Sequence, residues 1–554
     1  TPFRDGVLME RRVALAIALM LIVLILPSIL FPPPSPPPPP PPAESLDTIA
    51  AVAPETVVVE RPPPPPPEAG QPTPPRPVAP ERIVTVESSL WTLRFSTRGA
   101  RLVGATANDY RTFAPGDTGR AELVPPDSRF LEYSLVLGSD TLALHEWDFT
   151  PTDTVVRVGE EETTLRWQAR RGAVTVELTH VFRPGTYLFD VHATVRGIPA
   201  SGLALVRLGP HMGFVEADSA DNLRAYAVVT KASKTESVKF SSLEGEIRAL
   251  EGPFEWVAIK SKYFVAAVLS IAEGGPRFGG ALAVGGDKVG KFVTDADVLV
   301  SLPAPAGEFA HSVYVGPQEF RRLARIGHDL EDVNPYGWFL RPIIRPFANL
   351  IVHILLWMHE TLSLPYGWVL ILFGLAVRGL LWPLNQKAMR SSVAMQAVQP
   401  ELKAIQERYK QDPPRLQQEM MKLYREHKVN PLGGCLPLLI PMPVLFALFF
   451  VFRETIEFRG VPFLWLPDLS RADPYFIIPI LMGLSMYAVT RIGQIGVPPN
   501  PQAKMMLYLM PGMMTVIFLN FSSGLNLYYA VSNIASIPQQ WLIARERLKR
   551  VGKR

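Results

Sequence analysis

The stretch "LILFGLAVRGLLWPLN", residues 370–385, is apolar enough to lie in a lipid bilayer, yet it carries Arg378 near its middle. A charge at the bilayer centre costs about 2.5–3.5 kcal/mol on insertion scales, so charged residues inside membrane segments are rare and functional. Arg378 lies about six residues, roughly 9 Å, from the cytoplasmic end of its segment at a rise of 1.5 Å per residue. Its side chain therefore either extends to the interface or lines a polar space between helices.

Six apolar segments have the length and composition expected of membrane spans. They lie at residues 13–31, 366–384, 432–452, 474–490, 505–521 and 525–543. Arg11 and Arg12 precede the first segment, and Lys and Arg are concentrated in the loop 387–428 and in the tail from Arg545 onward. Because positive residues favour the cytoplasmic side, both termini are predicted to be cytoplasmic. The same clusters flank apolar segments and form no stacking platform, so nucleic-acid specificity is not expected.

The region between the first two spans is predicted to lie outside the cytoplasm. Residues 32–80 form a linker rich in proline, including "PPPSPPPPPPP" from Pro32, which predicts a semi-rigid polyproline II spacer. Residues 81–320 contain alternating runs such as "AVTVELTHVF" (173–182) and "YLFDVHATV" (187–195), separated by turn residues. This pattern predicts a large, mainly antiparallel β-sandwich.

Cysteine and histidine give no indication of a metal or catalytic centre. Cys435 is the single cysteine, so no disulfide framework is expected. His145, His180, His192 and His211 lack the spacing of metal ligands, and solvated or hydrogen-bonded histidines are the favoured interpretation. No cofactor, metal site or catalytic residue is predicted.

A helical hairpin is predicted within the cytoplasmic loop. "QKAMRSSVAMQAVQPELKAIQERYKQ" and "RLQQEMMKLYREHK" favour helix, and the "DPP" turn at Asp412 separates them. An apolar seam joins the two helices, and its predicted members are Met395, Leu402, Ile405, Tyr409, Leu423 and Tyr424. A loop of this length with its own apolar seam is expected to have a function, with an inert connector as the alternative.

Polar residues recur every seven positions in two of the spans. Asn526, Asn533 and Gln540 form one stripe in the last span, with Tyr529 near the same face, and Asn385 follows Arg378 by seven residues. Seven residues are close to two helical turns, so each set lies on one side of its helix. We interpret the two stripes as lining one hydrated recess, with interhelical hydrogen bonding as the alternative. A small-solute transporter or channel also needs such polar groups.

Several segments resemble the YidC-type membrane protein insertases. They are "VRGLLWPL" around Arg378, "NPLGGCLPLLIPMPVLFALFF" (430–450), "DPYFIIPILMGLSMY" (473–487) and "FSSGLNLYYAVSNIASIPQQWLI" (521–543). The resemblance implies a five-helix core around a hydrophilic groove that is open to the cytoplasm and the lipid. Arg378 matches the groove arginine, Tyr528 and Tyr529 match an aromatic pair, and Gly374 stands where some relatives have a hydroxyl residue. The outer domain resembles the supersandwich of sugar mutarotases, which is an analogy of fold alone.

The expected fold class is a six-span α-helical membrane protein with a large extracytoplasmic β-sandwich. The predicted boundaries are a cytoplasmic N-terminus at 1–12, an anchor at 13–31, a Pro-rich linker at 32–80, a β-sandwich at 81–320, connecting and amphipathic interfacial helices at 321–364, a five-helix core at 365–545 that contains the hairpin at 386–430, and a basic tail at 546–554. The resemblance implies an insertase of the bacterial inner membrane without covalent chemistry. Its expected partners are nascent membrane proteins, lipids, the Sec translocon and the ribosome. A solute transporter, or an envelope enzyme acting on carbohydrate, is the alternative.

Overall fold

The computed structural model describes residues 80–198, 201–271, 277–334, 341–429, 442–496 and 501–551. These residues belong to one compact unit, Ala79–Arg554, in which a β domain is followed by helices. The predicted N-terminal segment 1–12, the anchor 13–31, nearly all of the linker 32–80 and Cys435 lie outside the described residues.

Twenty-two strands lie within the described residues of the β domain. They are β1 (Ile83–Glu87), β2 (Trp91–Ser96), β3 (Leu102–Arg111), β4 (Arg120–Val124), β5 (Glu132–Leu137), β6 (Asp140–Ala143), β7 (Thr150–Pro151), β8 (Val155–Arg157), β9 (Thr163–Arg171), β10 (Val174–Phe182), β11 (Leu188–Arg196), β12 (Ser201–Leu208), β13 (Ala227–Lys231), β14 (Thr235–Lys239), β15 (Ile247–Phe254), β16 (Trp256–Lys260), β17 (Phe264–Leu269), β18 (Phe278–Gly285), β19 (Lys288–Val289), β20 (Phe292–Val293), β21 (Ala296–Pro305) and β22 (Glu308–Pro317).

Three large sheets and one small ribbon organise these strands. The largest has nine strands in the order β14-β13-β16-β17-β22-β11-β10-β9-β7, the second has six in the order β15-β18-β21-β12-β5-β6, and the third has five in the order β4-β3-β2-β1-β8. The ribbon is β19-β20. Pairing is antiparallel except between β1 and β8, which run parallel. The predicted large, mainly antiparallel β domain is confirmed.

Alternation along the strands builds the core of this domain. In β10, Val176, Leu178 and Phe182 are fully buried, and Leu178 lies opposite Ala193 of β11. His180 continues the same buried face, where its Nδ1 accepts a hydrogen bond of 2.9 Å from Trp167 Nε1. Burial lowers the pKa of His180 to about 3, so the imidazole is neutral. Of the two expected environments for the histidines, solvated or hydrogen-bonded, His180 has the second, because this position belongs to the apolar side of the strand.

Eleven α-helices fall within the described residues. They are α1 (Ser219–Ala225), α2 (Phe320–Ile326), α3 (Arg341–Leu362), α4 (Tyr366–Leu380), α5 (Trp382–Ala397), α6 (Gln399–Arg408), α7 (Pro413–Glu426), α8 (Met442–Glu454), α9 (Ile477–Gly493), α10 (Pro501–Phe518) and α11 (Ser523–Val551). Among these helices, no single one reaches the length and apolarity set for a membrane span, whereas Ile344–Leu362 and Tyr366–Leu380 reach them jointly as a pair bent by 120°.

The hairpin that was predicted to be cytoplasmic contains three helices, α5, α6 and α7, instead of the two expected. The first predicted helix is divided into α5 and α6 at Val398, two residues before Pro400, which occupies the first turn of α6. Proline disfavours helical backbone in the preceding residue but suits a helix start, so the break follows from the sequence. The predicted turn is present: the Asp412 side chain caps α7 by accepting a hydrogen bond of 3.2 Å from Arg415 N.

Helix α3 is apolar on two sides. Ile344, Ala348, Ile351 and Leu355 are buried in a core shared with α4, α8 and the loop after α8. Phe347, Leu350 and Trp357 are exposed on another side, by 39%, 56% and 57%. The apolar residues of this helix, which lies in the segment 321–364 predicted to be amphipathic, thus divide between a packing face and an exposed face.

Candidate functional site

Helices α4 and α11 run side by side in the same direction and create the surroundings of Arg378. Near the start of both helices, the rings of Phe373 and Tyr528 lie 6.0 Å apart. Further along, Gln539 Nε2 donates a hydrogen bond of 2.8 Å to the carbonyl oxygen of Trp382, the first residue of α5. Arg378 lies between these two contacts along the chain. We call this region, from Phe373 to Asn385 against Tyr528 to Gln539, the α4–α11 seam.

Gly374 allows the two helices to approach closely. A Cβ at this position would lie 3.3 Å from Val531 Cγ1, 3.5 Å from Tyr528 Cδ2 and 3.7 Å from Ser532 Oγ. The side of α11 that faces α4 therefore carries Tyr528, Val531 and Ser532. Because Arg378 is one helical turn after Gly374, the arginine projects from the same side of α4.

The seam contains three polar atoms without a partner. Arg378 Nε, Asn385 Nδ2 and Gln539 Oε1 are buried, and within the described part of the chain none of them has a hydrogen-bond partner. A buried unsatisfied donor or acceptor costs about 1–3 kcal/mol, and native proteins seldom keep one without a reason. Two donors and an acceptor along one seam can therefore form hydrogen bonds with a polar group that enters between the two helices.

The stripe of Asn526, Asn533 and Gln540 is placed elsewhere. Asn533 Nδ2 donates a hydrogen bond of 3.1 Å to Ser485 Oγ of α9. Gln540 Oε1 lies 3.1 Å from the position that a Cβ on Gly493, the last residue of α9, would take. These two side chains contact α9, so the structure does not bring them together with Arg378.

Asn526 has a local structural contact. Its Nδ2 donates to the carbonyl oxygens of Phe518, at 3.0 Å, and of Phe521, at 3.4 Å. These carbonyls end α10 and the turn after it, so Asn526 satisfies acceptors that a helix end leaves open. The alternative interpretation of the stripe, interhelical hydrogen bonding, describes these contacts.

Tyr528 and Tyr529 point in different directions. Tyr528 packs on Phe373 of α4, whereas the Tyr529 ring meets Phe518 of α10 edge-on with centroids 5.3 Å apart. The Tyr529 hydroxyl is buried and has no hydrogen-bond partner within the described residues. Tyr528 therefore belongs to the α4–α11 seam, and Tyr529 lies between α11 and α10.

Sequence reasoning missed Ser532 and Gln539, which lie on the α4 side of α11. They are seven residues apart, the same spacing as Arg378 and Asn385. This second heptad repeat was the available signal, and it lies on another side of α11 from the more conspicuous asparagine stripe.

The six residues predicted to form the apolar seam of the helical hairpin are mostly half-buried. Leu423 is 5% exposed, and Met395, Leu402, Ile405, Tyr409 and Tyr424 are partly buried. An ion pair of 3.0 Å between His427 Nε2 and Glu401 Oε2 joins α7 to α6, and the Arg415 guanidinium lies 5.5 Å from the Tyr409 ring centroid. The hairpin thus has a thin apolar seam and a charged exterior.

Comparisons with known proteins give the same family along most of the chain. The family model of the YidC periplasmic domain matches residues 83–350, and that of the 60Kd inner membrane protein matches residues 357–550. A membrane protein insertase YidC of Aromatoleum aromaticum is 33% identical over 516 residues, covering 86% of this chain and 90% of the relative. A protein of the same description from Chloroherpeton thalassium is 32% identical over 500 residues, covering 84% and 83%.

The chain belongs to the YidC family of membrane protein insertases. Its function is therefore membrane protein insertion. The family is one of bacterial inner membrane proteins with a periplasmic domain, and the β domain of this chain matches that domain. This assignment favours insertion over solute transport and over an enzyme acting on carbohydrate.

Solved structures were also found. A crystal structure of an active YidC insertase with its first transmembrane domain resolved has a TM-score of 0.34 and 18% identity, covering 84% of this chain and 95% of that one. A galactose mutarotase related enzyme of Lactobacillus acidophilus has a TM-score of 0.27 and 10% identity, covering 42% of this chain and 97% of that one. At such TM-scores these likenesses support no further conclusion. Within the described residues, no group of three or more His, Cys, Asp or Glu is arranged to hold a metal ion.

Proposed function

We propose that this YidC-family chain inserts its substrates along the α4–α11 seam, with Arg378 attracting acidic residues of the segment that must cross the membrane. The observation that carries the proposal is the cluster of unpartnered buried atoms, Arg378 Nε, Asn385 Nδ2 and Gln539 Oε1. An arginine among partly desolvated neighbours attracts a carboxylate more strongly than one in water does. Tyr528 and Ser532 complete the seam on the α11 side.

The mechanism needs no covalent step. A polar recess in the cytoplasmic leaflet shortens the apolar distance that a polar segment crosses, which lowers the cost of moving that segment. The apolar part of the substrate then leaves sideways into lipid because its transfer into hydrocarbon is favourable. Asn526, Asn533, Tyr529 and Gln540 support this process indirectly by holding α9 and α10 against α11.

The proposed topology has six spans with both termini in the cytoplasm and the β domain outside it. Helices α4, α8, α9, α10 and α11 are the five spans of the core, and α3 lies at the outer interface with Phe347, Leu350 and Trp357 toward lipid. The hairpin of α5, α6 and α7 receives the nascent chain at the cytoplasmic surface. The Sec translocon is the proposed membrane partner, and the basic end of α11 is the proposed contact for a ribosome.

Substitution of Arg378 tests the proposed site. Arg378→Ala is expected to reduce insertion of a substrate with an acidic translocated tail on the order of tenfold, about 1.4 kcal/mol, while Arg378→Lys retains much of the activity. Insertion into proteoliposomes is measured as protease protection of the tail. A substrate with a neutral tail is the control and is expected to change little. Equal insertion of both substrates by the Ala variant would remove Arg378 from the mechanism.

Photocrosslinking tests which side of α11 meets the substrate. A photoreactive residue at position 539 is expected to crosslink to a ribosome-bound nascent chain more strongly than one at position 533, because Gln539 faces α4 and Asn533 faces α9. The reverse order would place the substrate path on the α9 side.

A further inference from the structure

The loop between α8 and α9 covers one end of the helical core. We call residues 455–473 the outer cap. Its apolar side chains Phe458, Phe463, Leu466 and Leu469 are buried, with at most 6% exposure. The Phe463 ring packs so closely on Gly367 of α4 that no Cβ would fit there, and the Phe458 and Tyr366 rings lie 5.1 Å apart. The cap therefore fills the space beside the first turn of α4.

The outer cap also binds the first turn of α11. Ser523 N donates to Arg471 O at 2.7 Å, and Gly524 N donates to Leu469 O at 2.9 Å. The Ser523 hydroxyl donates to Asp468 O at 3.2 Å. Because the first N–H groups of a helix have no partner within it, these bonds fix the cap to α11. The cap thus closes the α4–α11 seam at the end opposite the cytoplasmic hairpin.

Arg459 inserts from the outer cap into the β domain. Its side chain is 2% exposed, and its Nε forms an ion pair of 2.7 Å with Glu216 Oε1. Its Nη2 donates to the carbonyl oxygens of Arg111, at 2.9 Å, and Val215, at 3.1 Å. The guanidinium also lies 4.4 Å from the ring centroid of Phe113. Every one of these partners belongs to the β domain.

The neighbouring glycine is needed for this insertion. Gly460 has a φ of +70°, and a Cβ there would lie 2.8 Å from Phe113 Cζ. Left-handed backbone is costly for a residue with a Cβ, and the ring leaves no space for one. The chain therefore turns at Gly460 directly after placing Arg459 in its slot.

A second connection joins the β domain to the end of α8, and here the buried basic side chain comes from the β domain. Lys260, at the end of β16, is buried, and its Nζ contacts Asn334 Oδ1 and lies 3.4 Å from Glu454 Oε2 at the end of α8. Asn334 Nδ2 donates to Glu454 O at 3.4 Å. A buried charge without its partner is strongly unfavourable, whereas an exposed pair contributes little. Two reciprocal buried connections therefore hold the β domain to the end of α8 and to the first residues of the outer cap.

We propose that Arg459 is a positioning residue through which the β domain holds the outer cap closed, so that the polar seam does not conduct ions across the membrane during insertion. The inference rests on the proposed function of the seam as a polar recess. A recess open at one side lets a substrate enter, whereas one open at both sides dissipates the proton gradient. The β domain thereby holds the outer cap in the position that closes the α4–α11 seam.

The test is proton leak through proteoliposomes that contain the full-length chain and a trapped pH-sensitive dye, without substrate. Arg459→Ala is expected to raise the leak several-fold over wild type, and Arg459→Lys, which keeps the charge, is expected to restore part of the tightness. Arg183→Ala is the matched control, because Arg183 pairs at 2.6 Å with the buried Asp190 entirely within the β domain. The control vesicles are expected to stay as tight as wild type.

Hydrogen exchange of the outer cap accompanies the leak measurement. Arg459→Ala is expected to speed exchange in residues 455–473, and faster exchange without added leak would overturn the proposal. If Arg459→Ala does not fold, Glu216→Gln and Arg459→Lys are tested in its place. Proton leak and hydrogen exchange of the outer cap are measured for these variants in the same way. Arg378→Ala separates the two proposals. This variant is expected to insert the substrate with an acidic tail less well, while its vesicles stay as tight to protons as wild type. Leaky Arg378→Ala vesicles with an intact cap would also contradict the assignment of the seal to Arg459.

Discussion

Asn533→Ala separates a packing role for the asparagine stripe from a substrate-lining role. The substitution removes the bond of 3.1 Å to Ser485 Oγ and a longer one of 3.5 Å to Met482 O, and Ser485 keeps its own bond of 2.7 Å to Met482 O. Hydrogen bonds between membrane helices contribute about 0.6 kcal/mol on average and about 1.7 kcal/mol at most. We therefore expect Asn533→Ala to lower the free energy of unfolding by about 0.5–1.5 kcal/mol and to leave insertion nearly unchanged.

A double-mutant cycle measures this contact directly. Asn533→Ala, Ser485→Ala and the double variant are unfolded in detergent, and the coupling free energy is expected to be about 0.6 kcal/mol. Gln539→Ala is the matched variant on the other side of α11, and it is expected to reduce insertion several-fold. Loss of insertion by Asn533→Ala to the level of Arg378→Ala, with unchanged stability, would refute the placement of the stripe against α9.

Two further substitutions test particular positions. Gly374→Ser is expected to keep stability within about 1 kcal/mol and to retain insertion, because its Cβ would lie 3.3 Å from Val531 and its hydroxyl would add to the polar seam; a loss of stability as large as that of Gly374→Leu would contradict this. Glu457 is buried, which raises its pKa to about 7 from an ordinary 4.5. The neutral carboxyl contributes fully to the free energy of unfolding below about pH 4.5. This contribution is lost as the pH rises through about 7, and the loss is at most about 3 kcal/mol. Thermal unfolding at a series of pH values is expected to favour Glu457→Gln over wild type increasingly as the pH rises, and a constant difference would contradict the titration of this carboxyl.

The β domain and most helices could be predicted from the sequence because their signals are local. Alternation in β10 placed Val176 and Leu178 on the buried side, and Asp412 marked the turn that it caps. The division of the first hairpin helix at Val398 was also readable, since Pro400 follows it by two residues. Arg459 and Glu216, in contrast, are 243 residues apart, and nothing in either segment identifies the other as its partner.

The sequence predicted only part of the candidate site. A periodic pattern shows which residues share one face of a helix, but it does not show which other helix that face contacts. Seven residues return a helix to nearly the same side, so Asn526 with Asn533 and Ser532 with Gln539 are equally regular repeats. Only the packing of α11 shows that Asn533 meets α9 and that Gln539 meets the end of α4. Arg378 itself could be selected from the sequence, because a charge inside an apolar segment is costly wherever its neighbours lie.

Hydrogen-bond satisfaction distinguishes Asn533, on the α9 side of α11, from Arg378 and Gln539 at the α4 side; within the described residues, Asn526 Oδ1 and the Tyr529 hydroxyl, toward α10, are also buried and unpartnered. Toward α9, the Asn533 amide nitrogen has a partner, and such a contact holds helices together without needing a ligand. Toward α4, Arg378 Nε and Gln539 Oε1 are buried and unpartnered within the described chain. Because an unsatisfied buried group is costly and Arg378 adds a positive charge, the α4 side is where a passing acidic segment gains most by binding. The same helix can therefore stabilise the core on one side and receive substrate on the other.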